Sequence, residues 1–447
     1  MPTMVKLYNQ YKAKGFEVIA LSEGTKEELL AENQSFGATW PCFDIGINNE
    51  NDLYNIFSSY HGSTPNVNIV NSEGYLEFIS EYDSYEDIDR FLLTKLGPPD
   101  DAGDDNQFYT STDYSKDGEV KTMQTATKGN GIDIVLMGDA FSDRLIADGT
   151  YDNVMNTAME KLFEVEPYKS YRDHFNVHSV KAVSPNELYT QGTTTAFECY
   201  FGDGTRVGGT DSRVLSYAQK AISDERMNEA LIIVMMNSTA YAGTCYMYNP
   251  SNNTQNWGNG VSISYFPIGQ DDTALAQVLH HEAGGHGFAK LADEYAYEDM
   301  GAIPEAEAAS HKTQQTDWGW WKNVDFTSDL TAVRWKHFIN DTRYANEGLG
   351  AYEGGLTYWS GVWRPTENSI MRHNTGGFNA PSREAIYYRI HKLAYGADWQ
   401  YDYEKFVEWD AKNRKAAAAT RAIPYRHAEI KPTHPPVVIN KSWKDAK

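Results

Sequence analysis

The chain has 447 residues, 41% hydrophobic and 13% aromatic, enough for a large core and a division into two to three domains. Its 39 basic side chains face 62 acidic ones, a net charge of −23, which argues against a nucleic-acid partner and for a soluble protein that repels acidic surfaces. No apolar run reaches the roughly eighteen residues that suggest a membrane span, and three cysteines make no disulfide framework.

Residues 1–98 alternate helix and strand patterns. Met4 to Lys14 reads as a helix, Phe16 to Leu21 as a buried strand and Lys26 to Phe36 as a second helix. Val67 to Ile79 reads as a hairpin turning at Ser72-Glu73-Gly74, and Tyr85 to Leu96 as a closing helix. This order, with Gly62-Ser63-Thr64-Pro65 at the place of a cis-proline, resembles a thioredoxin-like domain. The redox Cys-x-x-Cys of that family would stand just upstream of Pro2. Cys42 lies in Thr39-Trp40-Pro41-Cys42-Phe43 with no cysteine near it. The expectation is a truncated or redox-silent accessory domain, in a natural protein that extends upstream of Met1. The start shows no basic segment followed by an apolar one, so no signal peptide is visible.

Gly97 to Asp105 is a linker by composition, and 99–129 is expected to connect the two units. From Asn130 the pattern becomes that of a large α/β domain. Ile132 to Met137 reads as a buried strand, apolar apart from Asp133, Tyr151 to Phe163 as a helix, and Asn176 to Val183 and Ala230 to Met236 as further buried strands. A helix over Ser212 to Ile222 completes a three-layer plan. Val261 to Phe266 alternates apolar and polar and reads as a strand. Cys199 and Cys245 could pair with each other or stay as buried thiols.

The densest chemistry lies in His280 to Tyr295, with three imidazoles and three carboxylates in sixteen residues. Asp271 or Asp272 can cap the helix leading into it. Leu275, Val278 and Leu279 form its apolar face, and Glu282 continues that face, which calls for a nearby cation. His281-Glu282-Ala283-Gly284-Gly285-His286 is one residue longer than His-Glu-x-x-His, the zinc-peptidase motif whose Glu is the base. On a regular α-helix His281 and His286 stand about 140° apart and cannot share a metal. A π-turn would restore them to one face, and Gly284 and Gly285 would tolerate it. His280 is not expected to be a ligand.

Beyond the helix, the composition is aromatic. Trp318 to Trp321 and Tyr358 to Trp363 could line a cleft or simply pack. Residues 411–447 read as a solvated basic tail: Lys412 to Lys447 holds nine basic and two acidic side chains, with Pro432, Pro435 and Pro436.

From Asn130 to Asp410 the chain resembles the IgA-peptidase family of zinc metallopeptidases, relatives of the metzincins. The resemblance rests on Gly131 to Phe141, Glu166 to Val177, the helix with Leu291-Ala292-Asp293-Glu294-Tyr295, Tyr352-Glu353-Gly354-Gly355, and Arg364 to Arg372. It implies an α/β fold with a metzincin-like peptidase domain over 130–410, behind the partial thioredoxin-like α/β domain over 1–98. It implies one zinc ion held by His281, His286 and Asp293, with Glu294 the other choice for third ligand. Glu282 is then the general base. Asn368 to Arg372 resembles the metzincin Met-turn, with Met371 as the apolar floor under the metal. Tyr295, Arg372 and His373 are the donors that could polarise a scissile carbonyl. The resemblance of Val261 to Phe266 to the strand before the zinc helix of metzincin-like folds implies the sheet edge, where an extended peptide could pair with it. The implied substrate is a protein or peptide in extended conformation, and the implied location is outside the cytoplasm.

Overall fold

Two strands without an exposed residue set the architecture. Ile132–Asp139 and Leu231–Met236 are buried along their whole length, as the strands of a covered parallel sheet should be; the second is apolar throughout and the first carries the apolar run Ile134 to Met137 between Asp133 and Asp139. The computed structural model describes residues 2–22, 40–44, 67–80, 85–96, 109–190, 192–250, 255–269, 271–421 and 432–446. The chain divides into two units, Met1–Phe108 and Tyr109–Lys447.

In the first unit, helices Pro2–Tyr11 and Tyr85–Leu96 contribute Leu7, Tyr11, Ile88 and Leu92 to a small core. Ala20–Ser22 pairs in parallel with Cys42–Asp44, and Val67–Val70 forms a hairpin with Leu76–Ser80. Asn71 Oδ1 closes that turn by accepting from the Glu73 and Tyr75 amides. The helix expected over 26–36 and the Gly62–Pro65 segment lie outside the described residues.

The second unit is built on one mixed sheet. Its strands are β1 (Val120–Gln124), β2 (Ile132–Asp139), β3 (Phe175–Val180), β4 (Leu231–Met236), β5 (Thr244–Tyr248) and β6 (Ser262–Pro267). A second, three-stranded sheet holds β7 (Ala296–Ala302), β8 (Tyr352–Gly355) and β9 (Thr357–Arg364). β10 (Val437–Ile439) returns to the main sheet, whose order is β10-β5-β6-β4-β2-β3-β1. The inner strands β6, β4, β2 and β3 run parallel, while β5 and β1 are antiparallel to their neighbours β6 and β3.

Strand periodicity divides the core between the two sheet faces. On β2, Ile134 and Leu136 pack with α1 (Thr150–Leu162) and α5 (Ala380–Tyr395), with Met155, Leu162, Ile386 and Ile390 in the same cluster. Val135 and Met137 face the other way, toward Val214, Leu215 and Ala218 of α2 (Asp211–Ala221).

Three sequence expectations change. Residues 109–129 are not a linker: β1 pairs with β3, and the Thr112 and Asp113 amides donate to Asp143 Oδ2. Their polar composition reflects an edge strand and side-chain-capped loops. Nor are residues 432–446 a solvated tail. β10 joins the sheet, and Trp443 is buried with its indole N–H on Asn228 Oδ1 at 2.9 Å. Val261 to Phe266 is not at the edge; β6 lies between β4 and β5. Cys199 and Cys245 are both buried and free, with no disulfide between them. In the aromatic stretches, Trp320 and Trp321 are core residues, whereas Trp359 is about half exposed.

Candidate metal centre

Asp271 opens the key helix. Its Oδ1 accepts from the Thr273 and Ala274 amides at 2.8 and 2.9 Å, satisfying two otherwise orphaned donors. α3 (Asp272–Leu279) presses Leu275, Val278 and Leu279 into the core. The next nine residues, His280–Phe288, are π-helical and wholly buried. One residue beyond, the Ala289 amide donates to the carbonyl of Gly284, five residues back, at 3.1 Å. Residues five apart then stack one turn above another, which brings His286 over His281.

The glycines serve close approach as well as the widened turn. A Cβ on Gly285 would stand 2.2 Å from Met371 Sδ, and one on Gly287 would stand 2.7 Å from Leu231 Cδ1 and 2.8 Å from Ser264 Oγ. The π-turn is thus pressed between the sheet and the Met371 segment. Tyr168 fixes it further: its hydroxyl donates to the Gly284 carbonyl at 2.5 Å. The chain turns away at Lys290, which takes φ +56°, a left-handed conformation that sequence reasoning would have given to a glycine. The Lys290 ammonium is buried and donates to the Gly287 carbonyl at 2.8 Å and to Ser262 Oγ.

Three donor atoms converge. His281 Nε2 lies 3.0 Å from His286 Nε2 and 3.1 Å from Asp293 Oδ1, and His286 Nε2 lies 3.2 Å from that same oxygen. The other ring nitrogens are committed: His281 Nδ1 donates to the Ile370 carbonyl at 2.9 Å and His286 Nδ1 to the Leu291 carbonyl at 2.7 Å. With neutral rings, that assignment puts the hydrogens on Nδ1 and aims both Nε2 lone pairs at the carboxylate oxygen. Three acceptors facing one another out of water repel unless a cation joins them. Their spacing matches the edge of a zinc tetrahedron, about 3.3 Å for bonds of 2.0–2.1 Å. The residues present fit a single metal ion, and these three form the one such group among the described residues.

Glu282 stands beside them with both carboxyl oxygens buried and without a hydrogen-bond partner. Burial pushes its pKa up to about 8, against a smaller lowering by His281. A cation at the three converging atoms would lower it again and favour the carboxylate. Tyr295 follows Asp293 by two residues; its hydroxyl donates to the Thr433 carbonyl at 2.8 Å, and burial followed by the Asp293 charge raises its pKa.

The other sequence-predicted residues divide. Glu294 lies outside the group of converging donor atoms. It points away from the two histidines and accepts from Ser369 Oγ at 2.7 Å, Asn323 Nδ2 at 2.9 Å and Asn379 Nδ2 at 2.9 Å. Its alternation with Asp293 puts one carboxylate on the metal side and the other on the Met371 segment, which it anchors. Met371 is fully buried under Gly285, and its carbonyl accepts from the Glu294 amide at 2.8 Å. Arg372 gives its guanidinium to the Glu367 carbonyl, and His373 ends the same short helix, partly buried. His280 faces α1, with Nε2 on the Lys161 carbonyl at 2.6 Å. Sequence reasoning missed Tyr168, Lys290, Thr433 and Gly243, where a Cβ would meet Glu282 Cγ at 2.8 Å. Tyr168 and Lys290 stand within stretches the sequence singles out but carry no ligand spacing of their own, and Gly243 and Thr433 stand outside any motif.

No curated protein matches the chain. A family model described as IgA Peptidase M64 matches residues 120–344, half the chain, from β1 through the π-turn and both histidines to Tyr344. The metal-binding geometry and this match agree: the chain belongs to the IgA peptidase M64 family and is a peptidase.

Proposed function

We propose that the protein is a zinc-dependent endopeptidase acting on extended segments of protein substrates. The observation that carries this reading is the convergence of His281, His286 and Asp293 beside an unpartnered, buried Glu282. His281, His286 and Asp293 would hold the zinc, with Nδ1 of each ring fixed by a main-chain carbonyl. The chemistry zinc supplies in such a place is Lewis acidity, which activates water near pH 7 and polarises a carbonyl. Glu282 takes the proton from the attacking water and passes it to the leaving amine. The Tyr295 hydroxyl would donate to the scissile carbonyl oxygen, a role supported by its donation to a peptide carbonyl, that of Thr433. Met371 and the Glu294 network keep the floor of the site rigid.

Two other readings are weaker. A thioredoxin-like redox protein needs paired thiols, and the sequence has no Cys-x-x-Cys. A binding protein on a peptidase scaffold gives no account of Glu282, a carboxylate costly to bury without a cation or a proton-transfer role. The net charge of −23 argues against nucleic acid as substrate. Among the described residues no helix is long and apolar enough to cross a membrane, and export is carried by family resemblance. Chelator treatment should abolish hydrolysis of casein, and zinc should restore it in the wild type but not in Asp293→Ala. Hydrolysis that survives complete zinc removal would sink the proposal.

A further inference from the structure

The segment Pro432–Ile439 lies across the site just described. Thr433 is buried, its carbonyl takes the Tyr295 hydroxyl at 2.8 Å, and its side chain sits beside the Glu282 carboxyl without making a hydrogen bond. The next amide, of His434, donates to the Gly243 carbonyl at 3.1 Å, and Gly243 is the residue packed against Glu282. Thr205 Oγ1 adds a bond to the Pro432 carbonyl at 3.3 Å. Further along, β10 runs parallel to β5 with Val437 opposite Tyr246, Val438 opposite Met247 and Ile439 opposite Tyr248. Trp443 then anchors the end in the core.

An extended chain is thus laid along the sheet edge with the Thr433 carbonyl on the hydroxyl of Tyr295, two residues beyond Asp293. That is the position a substrate backbone would need, reached by strand addition. Pro435 and Pro436 keep the run extended and remove two donors from it. With the segment in place, His281, Glu282 and His286 have no exposed surface and Asp293 is 2% exposed. A protein substrate and Thr433 cannot occupy Tyr295 together.

We propose that Pro432–Ile439 is an internal occupant of the substrate cleft, so that the peptidase becomes active only when this segment leaves. The proposal rests on the peptidase reading above and adds its control. Displacement by a tighter-binding substrate or a cut in the preceding stretch, 422–431, would switch the enzyme on.

The test uses the full chain with Val438→Asp, which places a carboxylate among the apolar neighbours of β5. Two quantities are measured on zinc-loaded protein: casein hydrolysis, and hydrogen exchange at the amides of 246–249, one of which, that of Asn249, is held by the Ile439 carbonyl. Fast exchange with hydrolysis raised on the order of tenfold or more over wild type is the expected result, because an occupied cleft scales the apparent rate by its open fraction. Fast exchange with an unchanged or lower rate overturns the proposal and leaves the peptidase reading standing. Should Val438→Asp fail to fold, a full chain with a protease site built into 422–431, cut after folding, gives the same comparison. Release of the segment must raise hydrolysis, and release without a rise overturns the proposal. No hydrolysis in any form at full zinc occupancy overturns the peptidase reading and this proposal with it.

Discussion

Gly285→Ala is a small change with a calculable effect. The new methyl carbon would sit 2.2 Å from Met371 Sδ and 2.7 Å from Met371 Cε. Ordinary contact needs about 3.5–4.0 Å, so the sulfur must retreat by roughly 1.5 Å into a close-packed surround. Overpacking of this kind costs about 1–3 kcal/mol, offset by up to about 1 kcal/mol from alanine's better helix propensity. Met371→Ala alone removes a fully buried side chain and should cost about 2–5 kcal/mol. In the double variant the methyl added at Gly285 would occupy part of the space Met371 vacates. The two costs should therefore fall short of additivity by about 1 kcal/mol or more. Urea unfolding followed by tryptophan fluorescence is a suitable assay, since ten of the eleven tryptophans lie in the larger unit. Additive costs, within about 0.5 kcal/mol, would refute the claim that the π-turn rests on Met371.

Further outcomes are open to measurement. In metal-stripped protein Glu282 keeps its proton up to about pH 8, while the unfolded chain loses it near the ordinary value of 4.5. The unfolded state therefore binds fewer protons between those limits, and stability should fall with rising pH by about 1.4 kcal/mol per unit relative to Glu282→Gln. Equal pH slopes for the two proteins in urea titrations would contradict the burial of that carboxyl. Arg383 is buried and holds Asp410 through Nε at 2.7 Å and Nη2 at 2.9 Å. Arg383→Met should destabilise by about 3–5 kcal/mol, and Arg383→Met with Asp410→Leu by much less, as read from the same titrations. Ser369→Ala removes the 2.7 Å donor to Glu294 and should loosen the Met371 segment. Its cost should be about 1–2 kcal/mol with weakened zinc retention, checked by competition with a chelator.

Much of the site was legible because its ligands are close in sequence. His281, Glu282, His286 and Asp293 fall within thirteen residues, and the one-residue excess over the common motif pointed to a π-turn, which the backbone contains. The strands β2 and β4 were equally legible, since β4 is apolar throughout and β2 carries the apolar run Ile134 to Met137, and burial on both faces leaves no alternation to misread. What escaped depends on long-range pairing. Asp293 and Glu294 are neighbours with similar chemistry, and only Ser369, Asn323 and Asn379, far along the chain, draw Glu294 away. Thr433 reaches the site because β10 pairs with β5, and three apolar residues amid prolines and basic side chains gave little sign of a strand. Lys290 adopts φ +56° with its side chain tied down within the fold, so no glycine marked the bend.

In the proposed mechanism Glu282 moves the proton at a metal held by His281, His286 and Asp293. The most direct measurement is casein hydrolysis by zinc-loaded Glu282→Gln, with zinc content determined on the same sample. Zinc should bind as in the wild type and hydrolysis should fall by about a hundredfold or more, the usual contribution of a positioned general base. Wild-type hydrolysis at full zinc occupancy would contradict it.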